Sequence, residues 1–167
     1  MGSKQVGKER VSRKEIGEEK QLDEFMAKYE PEIAATAGKA LAKMRKMVPH
    51  AIEMVYDNYN TLAIGFVPNE RPSDAVFSIA LYPAYVRLFF LQGKGLPDSG
   101  KRLEGTASRV RSVRLDPVEI LDDPEIQELI SAAMERARVK FDGKQKRRLV
   151  IKSVSKKQRP RRNASTG

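Results

Sequence analysis

Residues 52–91 read IEMVYDNYNTLAIGFVPNERPSDAVFSIALYPAYVRLFFL, and the fold is decided by this stretch. Ile52, Met54 and Tyr56 alternate with Glu53, Val55 and Asp57, and Leu62, Ile64 and Phe66 alternate with smaller residues. A period of two marks a strand, because successive side chains point to opposite faces. Ala75–Leu81 and Tyr85–Leu91 are nearly continuous apolar runs. Asn58, Asn60, Pro68, Asn69, Pro72 and Pro83 punctuate the four runs. Short strand-forming runs broken by such turn formers predict antiparallel strands. Ser108–Leu115 predicts a fifth, weaker strand, in which Val110, Val113 and Leu115 fall out of phase, so a bulge is expected.

Working outward, the period changes to that of a helix. Leu22, Phe25, Met26 and Tyr29, then Ile33, Ala37, Leu41, Met44 and Val48, predict a helical region over 20–48. Pro31 breaks it and suits the first turn of a second helix. On the other side, Asp123-Pro124-Glu125 is a helix start, and Ile126, Leu129, Ile130, Ala133 and Ala137 form its buried stripe. Helices flanking a run of strands predict an α+β fold, a five-stranded antiparallel sheet with N-terminal helices and one C-terminal helix on one face. The expected organisation is a charged, flexible N-terminal extension over 1–19, an α+β domain over 20–140, and a basic, disordered tail over 141–167.

The charge distribution agrees with that division. Lys140–Gly167 holds eleven of the 32 basic residues and one of the 22 acids, so residues 1–139 carry 21 of each and the net +10 sits in the last 28 residues. There is no cysteine, which excludes disulfides, thiolate catalysis and cysteine-based metal sites. No run approaches the ~18 apolar residues of a membrane span, and the charged start lacks a signal-peptide core. A cytoplasmic location without membrane association is expected.

The segment Glu53–Tyr59 (EMVYDNY), the strand Tyr85–Phe90 (YVRLFF), Leu91–Gly95 (LQGKG) and the Asp-Asp-Pro helix start resemble the YdhG-like family of uncharacterised bacterial domains. The resemblance covers roughly residues 20–140. It implies a frataxin-like α+β sandwich, and one branch of that family implies iron delivery. Such a role needs clustered carboxylates. Asp23, Glu24, Glu30 and Glu32 are instead interspersed with Lys28, Lys39, Lys43, Arg45 and Lys46.

No catalytic or metal-binding constellation can be assembled, and no cofactor is implied. His50 stands alone, and its expected role is structural. Gly95–Arg102 (GLPDSGKR) matches the start of a P-loop but has Arg102 where a magnesium-binding hydroxyl is required. Two groups remain as ligand-binding candidates. Tyr56, Asp57, Asn58 and Tyr59 combine aromatic and polar side chains, as pockets do, though Asp-Asn is also ordinary turn chemistry. Tyr85, Arg87, Lys94, Lys101, Arg109 and Arg111 form a basic group at the sheet edge, with Arg109 and Arg111 expected to project together. Lys146, Arg147, Arg148, Lys152, Lys156, Lys157, Arg159, Arg161 and Arg162 could neutralise phosphates. The leading expectation is therefore non-catalytic binding of a small anionic ligand or protein partner. Non-specific nucleic-acid binding through the tail and a frataxin-like iron carrier are the alternatives.

Overall fold

The computed structural model describes residues 12–163. Two helices, α1 (Arg13–Ala27) and α2 (Pro31–Met47), precede strands β1 (Ile52–Asp57), β2 (Leu62–Val67), β3 (Phe77–Leu81), β4 (Val86–Phe90) and β5 (Arg111–Arg114). Helix α3 (Pro124–Arg136) and a sixth strand, β6 (Arg148–Val154), follow. The sheet order is β5-β4-β3-β2-β1-β6. β1 to β5 form an antiparallel meander, and β6 lies parallel to β1 at the opposite edge.

The α+β class and the meander follow the sequence pattern, but the sheet is six-stranded and mixed. The additional strand comes from the segment expected to be a disordered tail. Its apolar core, Leu149-Val150-Ile151, is short and embedded in cations, so its composition reads as solvated. What orders it is tertiary: β1 offers a free edge, and Leu149 enters the main core at 4% exposure. Burying one leucine contributes roughly 1.5–3 kcal/mol. Lys152 falls where the β1–β6 register shifts, and the Ile151 N–H donates to the Glu18 carboxylate at 3.1 Å. A charged, irregular edge of this kind resists pairing with other chains. The bulge expected in the fifth strand is absent. β5 starts at Arg111, so Val110 lies outside it and Val113 and Leu115 are in phase.

Helix α1 starts at Arg13, inside the segment expected to be a flexible extension; residues 1–11 of that segment lie outside the described residues. The start is set by a capping box. The Glu15 N–H donates to Ser12 Oγ at 3.0 Å, and the Ser12 N–H donates to Glu15 Oε1 at 3.4 Å. Two otherwise unpaired donors are thereby satisfied before any apolar contact is made. Ser12→Ala is expected to lower stability by about 1 kcal/mol, read as a reduced urea midpoint with an unchanged m-value.

All three helices pack on one face of the sheet. Leu22 and Phe25 of α1, Leu41 and Met44 of α2, and Ile126 and Leu129 of α3 meet Val55, Ile64, Phe66, Ile79 and Leu88 in one cluster. Phe77 and Phe90, register partners on β3 and β4, meet edge to face at 5.6 Å. The opposite face has a smaller cluster of Ile52, Met54 and Val67, flanked by Tyr56, Ala75 and Val150, and no helix residue belongs to it. Among the described residues, no helix is long and apolar enough to cross a membrane.

Candidate functional site

Strand β1 places its charged residues beneath the helices and its apolar set on the uncovered face. Glu53, Val55 and Asp57 point to the helix side, where both carboxylates are 0% exposed. Their counter-charges come from distant segments. Glu53 receives Arg45 of α2 at 2.7 Å and Arg147 at 3.1 Å. Asp57 receives Lys28 at 2.7 Å and the buried Arg161 at 2.9 Å. Burial by itself pushes the Asp57 carboxyl up, but the donors crowded around it, Lys28, Gln158 and Arg161, more than offset this and hold it below the usual range. Asp57, Arg147 and Arg161 are therefore structural, against the sequence reading that put Asp57 in a ligand site and both arginines in a nucleic-acid arm. Arg162 is also occupied, donating to the Lys28 carbonyl at 3.2 Å and pairing with Glu30 at 3.4 Å.

The remaining ligand candidates do not converge on one pocket. Asn58 forms a turn, its N–H donating to the Thr61 carbonyl at 2.9 Å and its side-chain oxygen accepting from Ser153 Oγ at 3.1 Å. Tyr59 is exposed beside it, with the Arg159 guanidinium 5.7 Å over its ring. Lys101 sits exposed in a turn with φ 53°, and the Asp98 carboxylate accepts the Arg102 and Leu103 N–H groups at 2.8 Å. The P-loop-like stretch is thus a folded turn. Arg109 and Arg111 diverge, because Arg109 precedes the strand and strand alternation does not apply to it. Arg111 folds back on its own loop, donating to the Ala107 and Val110 carbonyls at 2.6 and 2.8 Å. The Lys94 N–H donates to the Arg109 carbonyl at 2.9 Å, and Arg109 itself lines a cleft against α3.

Tyr56, Tyr85 and Arg87 do share a surface, the uncovered face. Register partners across the sheet run Ser153, Tyr56, Ala63, Ala80, Arg87, Arg114 in one row. The adjacent row runs Met54, Gly65, Ser78, Phe89, Ser112. Small residues of β2 and β3 thus floor a shallow trough between Tyr56 and Met54 on one side and Arg87 and Phe89 on the other. Arg87 and Arg114 both lie against the Tyr85 ring, at 5.5 and 4.8 Å, and Tyr82 stacks beside it at 4.8 Å. Arg87 is fixed by Glu104 at 2.8 Å and Ser112 Oγ at 3.0 Å. Arg114 is half-exposed, and its nearest carboxylate, Asp116, is 3.9 Å away. Burial raises the Tyr82 and Tyr56 hydroxyls above their ordinary range, so both stay neutral donors at physiological pH.

Beside this face runs the β6 edge. Lys152, Lys156 and Lys157 are exposed and form no ion pair among the described residues. Lys146 is exposed, and Arg148 approaches Glu70 at 3.6 Å. His50 is structural, its Nδ1 meeting the Gln145 carbonyl at 2.9 Å. Among the described residues, no group of three or more His, Asp or Glu side chains is placed to hold a metal ion. No family model, curated protein or solved structure matches the chain. The sequence groups Phe89 with Tyr85 and Arg87 on one strand and Arg114 with the basic residues of the next, but only the strand register joins them to Tyr56 on one face.

Proposed function

We propose that the protein is a non-catalytic binding module that lays single-stranded nucleic acid across the uncovered sheet face and the basic β6 edge. The observation that carries this reading is the row Ser153, Tyr56, Ala63, Ala80, Arg87, Arg114, with ring and guanidinium groups on either side of a small-residue floor. At ~4.8 Å between strands the row spans about 24 Å. Unstacked bases need rings to lie on, and Tyr56, Phe89 and Tyr85 supply them; their backbone needs cations, and Arg114 and Lys152 flank the row. A duplex hides its base faces and would gain only the phosphate contacts. Lys152 on the anchored strand β6, and Lys156 and Lys157 just beyond its end, reinforce this reading.

Fluorescence anisotropy with a labelled oligothymidylate tests the electrostatic part. With about five phosphates contacted, affinity is expected to fall about 100-fold between 50 and 200 mM salt. Replacing Lys152, Lys156, Lys157 and Arg159 by Gln together should flatten the slope by two or more contacts while leaving the fold intact, since none of these side chains is buried. A salt-independent affinity, or an unchanged slope in the variant, would contradict the proposal.

A further inference from the structure

A second site lies where the end of α3 meets the Pro72–Asp74 turn and the β4–β5 connection. The cleft there encloses ≈ 420 Å³. Its floor is apolar, formed by Val76, Ala133 and Ala137, and three guanidiniums, those of Arg109, Arg136 and Arg138, stand around it. A guanidinium offers five N–H donors in a planar fork. Arg136 uses one on the Gly95 carbonyl at 2.6 Å, and Arg138 uses one on Asp74 at 2.5 Å. The Arg109 side chain makes no hydrogen bond or ion pair among the described residues.

The acid on the cleft wall is already neutralised. The Asp74 side chain is 4% exposed and accepts from both Asn69 (3.0 Å) and Arg138. These bonds, the Asn69 amide first, hold its carboxyl below the usual range, so it stays ionised and keeps Arg138 in place. Three cations against one anion leave an excess of two positive charges over an apolar floor.

We propose that this cleft binds a small organic oxyanion, a carboxylate or phosphate ester carried on a compact apolar body, with Arg109 as the principal anion contact. Arginine forks grip such groups bidentately, and the volume lies within the usual range of small-ligand sites. The site is separate from the uncovered sheet face and independent of the nucleic-acid reading.

The test is an amide chemical-shift titration of the full chain with phenyl phosphate, with inorganic phosphate and phenol as parallel arms. The expected result is saturable shifts at Gln92, Arg109, Ala133 and Arg138 with phenyl phosphate, and weaker ones with either half of the probe. Arg109→Gln is expected to lower the affinity at least tenfold, while Arg114→Gln leaves it unchanged. Arg109 is exposed, so the substitution does not threaten folding. No saturable shift at millimolar probe, shifts centred on Tyr85 and Arg114, or an unchanged affinity in Arg109→Gln would each overturn the proposal.

Discussion

Asp57→Ala is expected to destabilise the protein by about 3–5 kcal/mol, a large part of the ~5–15 kcal/mol that holds a domain together. Asp57 and Arg161 are 0% and 4% exposed at their side chains, so neither ion keeps its hydration shell. Removing the carboxylate leaves a buried guanidinium whose Nε already lacks a partner. Bonds from Arg161 to the Asn58 carbonyl at 2.5 Å and the Tyr59 carbonyl at 3.4 Å soften the loss and favour the lower half of that range. Lys28 adds little, because it is 41% exposed. Combining Asp57→Ala with Arg161→Met should recover much of the stability, since no unpaired charge then remains buried. Urea unfolding of the wild type, both single variants and the double variant measures this cycle.

The same carboxylate sets a pH dependence. Its folded titration lies below its unfolded one, so its stabilising contribution is complete above the ordinary aspartate value of ~3.9 and is lost as pH falls through the lower folded value. Between about pH 5 and pH 2 the wild type should therefore lose more stability than Asp57→Asn, which has no such proton to take up. Parallel curves for the two proteins would mean that the ion pair is not the source of the acid sensitivity.

Truncation after Lys144 is expected to have a still larger effect. It removes the strand paired to β1, the core contact of Leu149, the Arg147 partner of Glu53 and the Arg161 partner of Asp57 together. Loss of the Arg161 pair and of Leu149 burial alone amounts to about 4.5–8 kcal/mol. The shortened chain should lack a cooperative melting transition by circular dichroism. A cooperative transition within a few degrees of the full-length chain would show that β6 is dispensable. Removing the basic segment is for the same reason no clean test of what it binds; substitution of its exposed lysines is.

The meander and the helices were legible because local patterns carry them: the period of two over 52–91, the period of 3.6 over 20–48, and the Asp-Pro-Glu helix start. β6 was not, because three apolar residues among lysines and arginines become a strand only when a free edge is presented. The burial of the two carboxylates of β1 was not legible for a related reason. Glu53 and Asp57 look like the solvent side of an amphipathic strand, and two of the cations that pair with them, Arg147 and Arg161, lie 94 and 104 residues further along the chain. Two of the five arginines that read as an electrostatic arm, Arg147 and Arg161, are consequently counter-ions of these carboxylates. Of the candidate site, Tyr56, Tyr85 and Arg87 could be named from sequence, but the row that joins them to Arg114 follows from strand register.

The central claim, that rings on the uncovered face hold bases, is tested most directly by the affinity of a single-stranded oligonucleotide for Tyr56→Ala, measured beside a duplex of the same length. A lost base–ring contact is worth ~1–3 kcal/mol, so single-strand affinity should fall roughly tenfold while the weaker duplex binding stays as it is. Equal affinities of the wild type and Tyr56→Ala for the single strand, or equal losses for both nucleic acids, would contradict the account.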